Sequence, residues 1–227
     1  MRATMWILPA SSLKNRMLRS LGHDVHPSAI ARSNLVWRVS RFDMAEGSRI
    51  GKWNMIKDLR ALSIGSHASV GRLNVISAHP VYKRLYSNGA SLSVGVHAFI
   101  TSRHQLDCSG AIALGEFASM AGHGTMVLTH SIDVGRDVQA AYPVIIGERS
   151  FVGARCLLLG GGTLPPRSVL AAGSVLARTR DAQDSGLWAG VPAKHKGDVK
   201  GSWFDREVTG TSRVYIPETG EVVENAI

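Results

Sequence analysis

The sequence predicts an all-β solenoid, a parallel β-helix. Three observations carry that prediction. An aliphatic residue returns at every sixth position from Ile146 through Val152, Leu158, Leu164 and Leu170 to Leu176. A small residue stands four positions after an anchor, at Ser150, Cys156, Gly162, Ser168 and Ser174. Tight turns are also well supplied, with 24 glycines in 227 residues and only 6% aromatic side chains. A step of six fits neither the helical period of about 3.6 nor the strand period of 2. It does fit a short strand followed by a tight turn. Three such sides close a triangular coil of about 18 residues, with the anchor and the small residue pointing inward. Stacked coils then pair as parallel strands about 4.8 Å apart.

The elements follow in chain order. Residues 1–24 read as a short basic amphipathic helix. Leu13, Met17, Leu18 and Leu21 lie on one side, and Lys14, Arg16 and Arg19 on the other. A solenoid end exposes unpaired strand edges and needs a cap, which is the preferred role for this segment. Peripheral membrane contact is the alternative. The solenoid occupies residues 25–195. Its six-residue step appears in Met44, Ile50, Ile56 and Leu62, and shifted by two in Ile64, Val70 and Ile76. It continues in Val94, Ile100, Leu106 and Ile112, then in Leu114, Met120 and Met126. Residues 77–93, with Tyr82, Lys83, Arg84 and Tyr86, interrupt the pattern as a loop that either lines an acceptor pocket or covers the solenoid flank. A second loop spans 127–143. Residues 196–227 form a tail, with a hairpin of Arg213–Pro217 and Glu221–Val223 around Glu218-Thr219-Gly220.

Composition narrows the function classes. No apolar run reaches the roughly 18 residues of a membrane span. Pro9 interrupts the apolar start, and Lys14, Arg16 and Arg19 follow on the wrong side for a signal peptide. Cys108 and Cys156 make no disulfide framework and no zinc spacing. The expected compartment is the cytoplasm, at the inner face of the membrane if the first helix docks there. The net charge of +9 calls for an anionic partner. The basic residues are scattered singly and no nucleic-acid motif is present, so a phosphorylated small molecule is favoured over nucleic acid.

One stretch carries a resemblance. Pro143–Lys194 reads PVIIGERSFVGARCLLLGGGTLPPRSVLAAGSVLARTRDAQDSGLWAGVPAK. It combines an Ile-Gly strand start, a Val-Gly-Ala corner, an Ala-Gly-Ser-Val-Leu coil and a closing Gly-Val-Pro-Ala-Lys. Over about residues 44–195 the chain resembles the hexapeptide-repeat acyltransferases, and among them bacterial sugar O-acetyltransferases of polysaccharide biosynthesis. The resemblance implies a left-handed parallel β-helix and a homotrimer with active sites between neighbouring solenoids. It implies acetyl-CoA as co-substrate, a sugar or glycan acceptor, and no permanently bound cofactor. N-acylation of an amino sugar or xenobiotic stands as an alternative acceptor chemistry. A non-catalytic scaffold is the alternative outside enzymes.

The resemblance also assigns residues. The loop 127–143 begins at the place of the family's catalytic histidine, so His130 is the expected general base. A hydroxyl is a poor nucleophile until a base takes its proton, and an imidazole with an ordinary pKa of about 6.5 suits that task. The ring needs an orienting group on its other nitrogen. Asp133 is the nearest carboxylate, with Glu116 and Asp137 also open. Ala154 and Ala172 match the small corners along which the family's pantetheine arm lies. Arg178 and Lys194 match its phosphate-binding positions. Trp188 is read as packing, with adenine stacking as the alternative. His79, His104 and His123 read as wall or edge residues, or as lining of the acceptor pocket. Carbonic anhydrases share this solenoid and bind zinc through histidines five apart. Here His97–His104 and His123–His130 are seven apart, so no metal is expected.

Overall fold

The computed structural model describes residues 2–178 and 184–226. Residues 179–183, inside the stretch that carries the resemblance, lie outside the described residues. The chain is a left-handed parallel β-helix with three faces. The first and third faces each stack seven strands, and the second stacks nine. Every neighbouring pair within the coils is parallel and in register, as in Phe42 opposite Leu62 and Leu92 opposite Ile112.

The inward pattern follows the six-residue step. Ile146, Val152, Leu158, Leu164, Leu170 and Leu176 are all fully buried. Burying a side chain of that size is worth about 1.5–3 kcal/mol. The step holds through the last coils, where Ile146 pairs with Leu164. Upstream the coil is twenty residues long, because first-face strands place two side chains inward instead of one. Phe42 with Met44, and Leu62 with Ile64, are such pairs. That longer side is the origin of the two-residue phase shifts.

One anchor moves. Met126 is 36% exposed, and Val127 takes its place inside. The turn Gly122-His123-Gly124 holds one residue more than its neighbours, with both glycines at positive φ. The phase therefore slips by one before the strand Met126–Leu128.

The small inward positions form hydrogen-bonded ladders along the axis. Asn54 donates its backbone N–H to Asn34 Oδ1 at 2.8 Å, and Asn74 does the same to Asn54 Oδ1 at 2.9 Å. His104 continues the ladder by donating N–H to Asn74 Oδ1 at 2.8 Å. Its own Nδ1 accepts from Thr125 N–H at 3.2 Å. Burial pushes the His104 pKa down to about 4, so its ring is a neutral wall element. On another corner Ser150 Oγ accepts from Ser168 N–H, and Ser168 Oγ from Gly186 N–H.

The N-terminus caps the first coil through helix α1 (Arg2–Met5) and helix α2 (Ser12–Ser20). The expected facing of α2 holds for Leu18, Arg16 and Arg19 but is exchanged at Leu13 and Lys14. Leu13 is 58% exposed, whereas Lys14 and Asn15 are buried beside Leu18. The reason is polar satisfaction at the solenoid's end. Lys14 Nζ donates to the carbonyls of Trp6, Leu8 and Arg32 at 2.8–3.1 Å. Asn15 Nδ2 donates to Ala29 O at 2.7 Å.

At the other end, strand Leu187–Gly190 joins the second face and strand Ala193–Gly197 closes it antiparallel. The tail then folds back along the corner between the first and second faces. Stacked rings line that corner, with His67, His97 and Phe117 separated by 5.1 and 4.8 Å. Arg206 of the tail donates to Phe117 O and Trp203 O, and Thr209 Oγ1 to His67 O. The terminal hairpin pairs Val214–Ile216 with Glu221–Val223.

Candidate functional site

Two insertions leave the solenoid at the same corner, between the third and first faces. The first holds helix α3 (Pro80–Leu85). The second is an antiparallel hairpin of His130–Asp133 and Val138–Ala141, where the sequence suggested a plain loop. Two coils run between them, and Asp107 ends the third-face strand Gln105–Asp107 of the first. The stacking brings the hairpin's first residue over that strand end.

Asp107 is a densely ligated carboxylate. Oδ1 accepts from Ser109 N–H at 3.2 Å and from Ser109 Oγ at 2.6 Å. Oδ2 accepts from the N–H groups of Thr129 at 2.9 Å and His130 at 3.1 Å, and from His130 Nδ1 at 2.7 Å. Burial pushes its pKa up, but the bonds from Ser109, His130 and Thr129 outweigh burial and hold it below the usual carboxylate value. Asp107 is therefore ionised at neutral pH. An ionised carboxylate is acceptor-only, so the ring proton of neutral His130 sits on Nδ1. Among the described residues nothing bonds Nε2, and the side chain is 35% exposed.

The surroundings fix the ring further. The Tyr82 ring of α3 lies 5.5 Å from the imidazole and His79 lies 6.4 Å from it, centroid to centroid. Arg60 holds the α3 insertion by donating to the carbonyls of Lys83, Tyr86 and Gly89. The hairpin base is tight. A Cβ at Gly160 would come within 2.6 Å of Thr129 O, so only glycine admits the chain there. A cavity of about 290 Å³ opens beside His130, lined also by Thr129, Asp133, Tyr142, Gly160 and Arg178. Arg178 lies over the Tyr142 ring at 4.5 Å and supplies the cavity's positive charge.

The expected residues fall on different edges. His130, Asp133 and Arg178 share this cavity. Asp133 does not orient the base. Its carboxylate takes the N–H of Arg136 at 3.2 Å and pairs with the Arg136 guanidinium. Glu116 lies on a corner between the first and second faces, and Asp137 is an exposed hairpin-turn residue. Sequence proximity had pointed to Asp133, whereas the partner is a whole coil upstream. The signal available in the sequence was the repeat itself, which sets Asp107 beside Leu128.

Ala154 and Ala172 stack on the corner between the second and third faces, where Gly173 N–H donates to Ala154 O at 3.0 Å. Lys194 is exposed on the closing strand opposite Ala189. Trp188 is 8% exposed and packs into the core, its Nε1 donating to Asp184 O. Among the described residues, no three His, Cys, Asp or Glu side chains gather as a metal site. No helix there is long and apolar enough to cross a membrane.

No family model matches the chain, and no curated protein matches it. Solved structures do. A maltose O-acetyltransferase from Clostridium difficile 630 is 18% identical over 61% of this chain and 70% of that one, with a TM-score of 0.48. A hexapeptide transferase family protein from Anaplasma phagocytophilum is 20% identical over 80% and 82%, with a TM-score of 0.46. AntD, an N-acyltransferase from Bacillus cereus solved with dTDP-4-amino-4,6-dideoxyglucose and coenzyme A, is 12% identical over 84% and 91%, with a TM-score of 0.44. In its repeat pattern and its architecture, the chain is similar to the hexapeptide-repeat acyltransferases.

Proposed function

We propose that the chain is an acyl-CoA-dependent O-acyltransferase that moves acetyl from acetyl-CoA to a sugar hydroxyl. The observation that carries this reading is the pair His130–Asp107, a base whose Nε2 nothing among the described residues bonds, held at a cavity by an ionised carboxylate. Nε2 takes the hydroxyl proton as the oxygen attacks the thioester carbonyl. The tetrahedral intermediate expels the CoA thiolate, and the imidazolium returns the proton to sulfur. Asp107 keeps the required tautomer and stabilises the imidazolium.

The donor would lie along the Ala154–Ala172 corner, where small side chains admit a ligand close to the backbone. Lys194, on the closing strand, and Arg178 offer cations for its phosphates. Arg178 shares the base's cavity, while the alanines stand on another edge. A base edge and a donor edge that are separate in one chain fit a site completed between copies, and we take the assembly to be a homotrimer. The setting we infer is cytoplasmic polysaccharide assembly.

The test is calorimetry with acetyl-CoA, followed by acetyl transfer to a panel of sugars. Micromolar binding that Lys194→Glu weakens at least about tenfold would support the donor assignment. Absence of binding by acetyl-CoA and longer acyl-CoAs would sink the transferase reading.

A further inference from the structure

The corner between the second and third faces carries a strip of unusual composition at its N-terminal end. Successive coils place Arg32, Lys52, Arg72 and Arg103 there, and Arg155 lies further along. All are exposed, and none makes an ion pair among the described residues. The turn segments 32–34, 52–54, 72–74, 102–104, 122–124, 154–156 and 172–174 contain no aspartate or glutamate. Arg32, Lys52 and Arg72 border one shallow groove with Gly51, Gly71 and Ser102.

Large apolar side chains are exposed on the same edge. Trp53 is 55% exposed, Leu73 43% and Leu35 45%. Ile7 and Leu8 of the N-terminal cap are 47% and 42% exposed. The cap is tied to this edge, because Lys14 Nζ bonds both Leu8 O and Arg32 O. Trp53 and Leu73 stand at φ of 62° and 60°. A left-handed turn position favours glycine or asparagine, and bulky side chains there cost about 1–2 kcal/mol. Positive φ recurs at the solenoid's turns, as at Arg103, His97 and Phe117, so it is the outward exposure of Trp53 and Leu73 that sets them apart.

We propose that this edge docks on an anionic lipid surface. Basic residues meet the headgroups, while Trp53, Leu73 and the Ile7–Leu8 turn enter the interfacial layer. A soluble polyanion would use the cations alone and leave the leucines in water. The strip lies on the same edge as Ala154, three coils or about 14 Å from Arg72. The proposal uses neither His130 nor Asp107, so its failure leaves that pair untouched.

The experiment is co-sedimentation of the full chain with phosphatidylcholine vesicles, with and without phosphatidylglycerol. The expected result is binding that requires phosphatidylglycerol. Lys52→Glu/Arg72→Glu should weaken it at least about thirtyfold, the product of two headgroup contacts. Trp53→Ser/Leu73→Ser should weaken it at least about tenfold, with unchanged melting and unchanged oligomer mass. Three outcomes overturn the proposal. The wild type fails to bind phosphatidylglycerol vesicles, the serine variant binds like wild type as a simple polyanion site would, or the serine variant changes the oligomer mass, marking the edge as a contact between copies.

Discussion

Asp107 and His130 lie 23 positions apart, yet their side chains meet at 2.7 Å. The coil between them converts that separation into a single layer of the stack. The carboxylate also accepts the N–H of His130 itself at 3.1 Å, so ring and backbone are held by one oxygen. A base fixed at two points needs little reorganisation before it acts.

Removing either partner should separate chemistry from binding. His130→Ala is expected to lower kcat for acetyl transfer by at least about a hundredfold, with acetyl-CoA affinity unchanged. Asp107→Asn presents an amide that can donate to Nδ1 and favours the wrong tautomer. Its kcat should fall by about 10²- to 10⁴-fold while the melting temperature falls only modestly. Steady-state kinetics beside calorimetry reads both variants, and near-normal turnover in either removes that residue from the mechanism.

The depressed Asp107 pKa makes an acid-stability prediction. A carboxylate whose folded pKa lies below its unfolded value stabilises the fold fully above the unfolded value of about 3.9. That contribution is lost as the pH falls through the folded value. Urea unfolding from pH 7 downward should therefore show a steeper acid loss for wild type than for Asp107→Asn. Parallel curves would mean that the carboxylate's bonds contribute little.

Lys14 predicts the opposite end of the scale. Burial lowers its pKa from 10.5 to about 8. Between those values the unfolded chain binds more protons than the folded one, so stability should rise with pH across that window. Lys14→Met removes the rise and leaves three cap carbonyls without their donor. Chemical unfolding between pH 7.5 and about 10.5 measures it, and a wild-type curve flat across the window would refute the linkage.

Inside and outside along the repeat are separable by mutation. Leu158→Ala should cost about 2–5 kcal/mol, because Leu158 is wholly buried. Met126→Ala should cost within about 1 kcal/mol, because a third of Met126 faces solvent and Val127 fills the interior. Equal costs would contradict the one-residue slip at Gly122–Gly124.

The solenoid was legible because its signal is repeated. Each of Ile146, Val152 and Leu158 alone means little, but together they fix a period. Single exceptions were not legible. Met126 looks as suitable for the interior as Val127, and only the extra turn residue decides between them. Lys14 looks like a surface cation until the cap's orphan carbonyls are counted. The site shows the same division. His130 opens an interruption of the repeat and could be found. Asp107 sits inside an ordinary strand, and nothing local marks it. Its role arises from the layer above, which brings Thr129 and His130 onto its oxygen.

The asparagine ladder sets a unit of length for the molecule. Each amide oxygen of Asn34 and Asn54 receives the backbone of the asparagine one coil later. Excising residues 50–69 would bring Asn74 under Asn34 as Asn54 now stands, with every other rung intact. Excising one residue fewer would slip the following strand by one position and turn its anchors toward water. The chain can thus be shortened or extended only in whole turns, like a stack of bricks cut to a fixed course height.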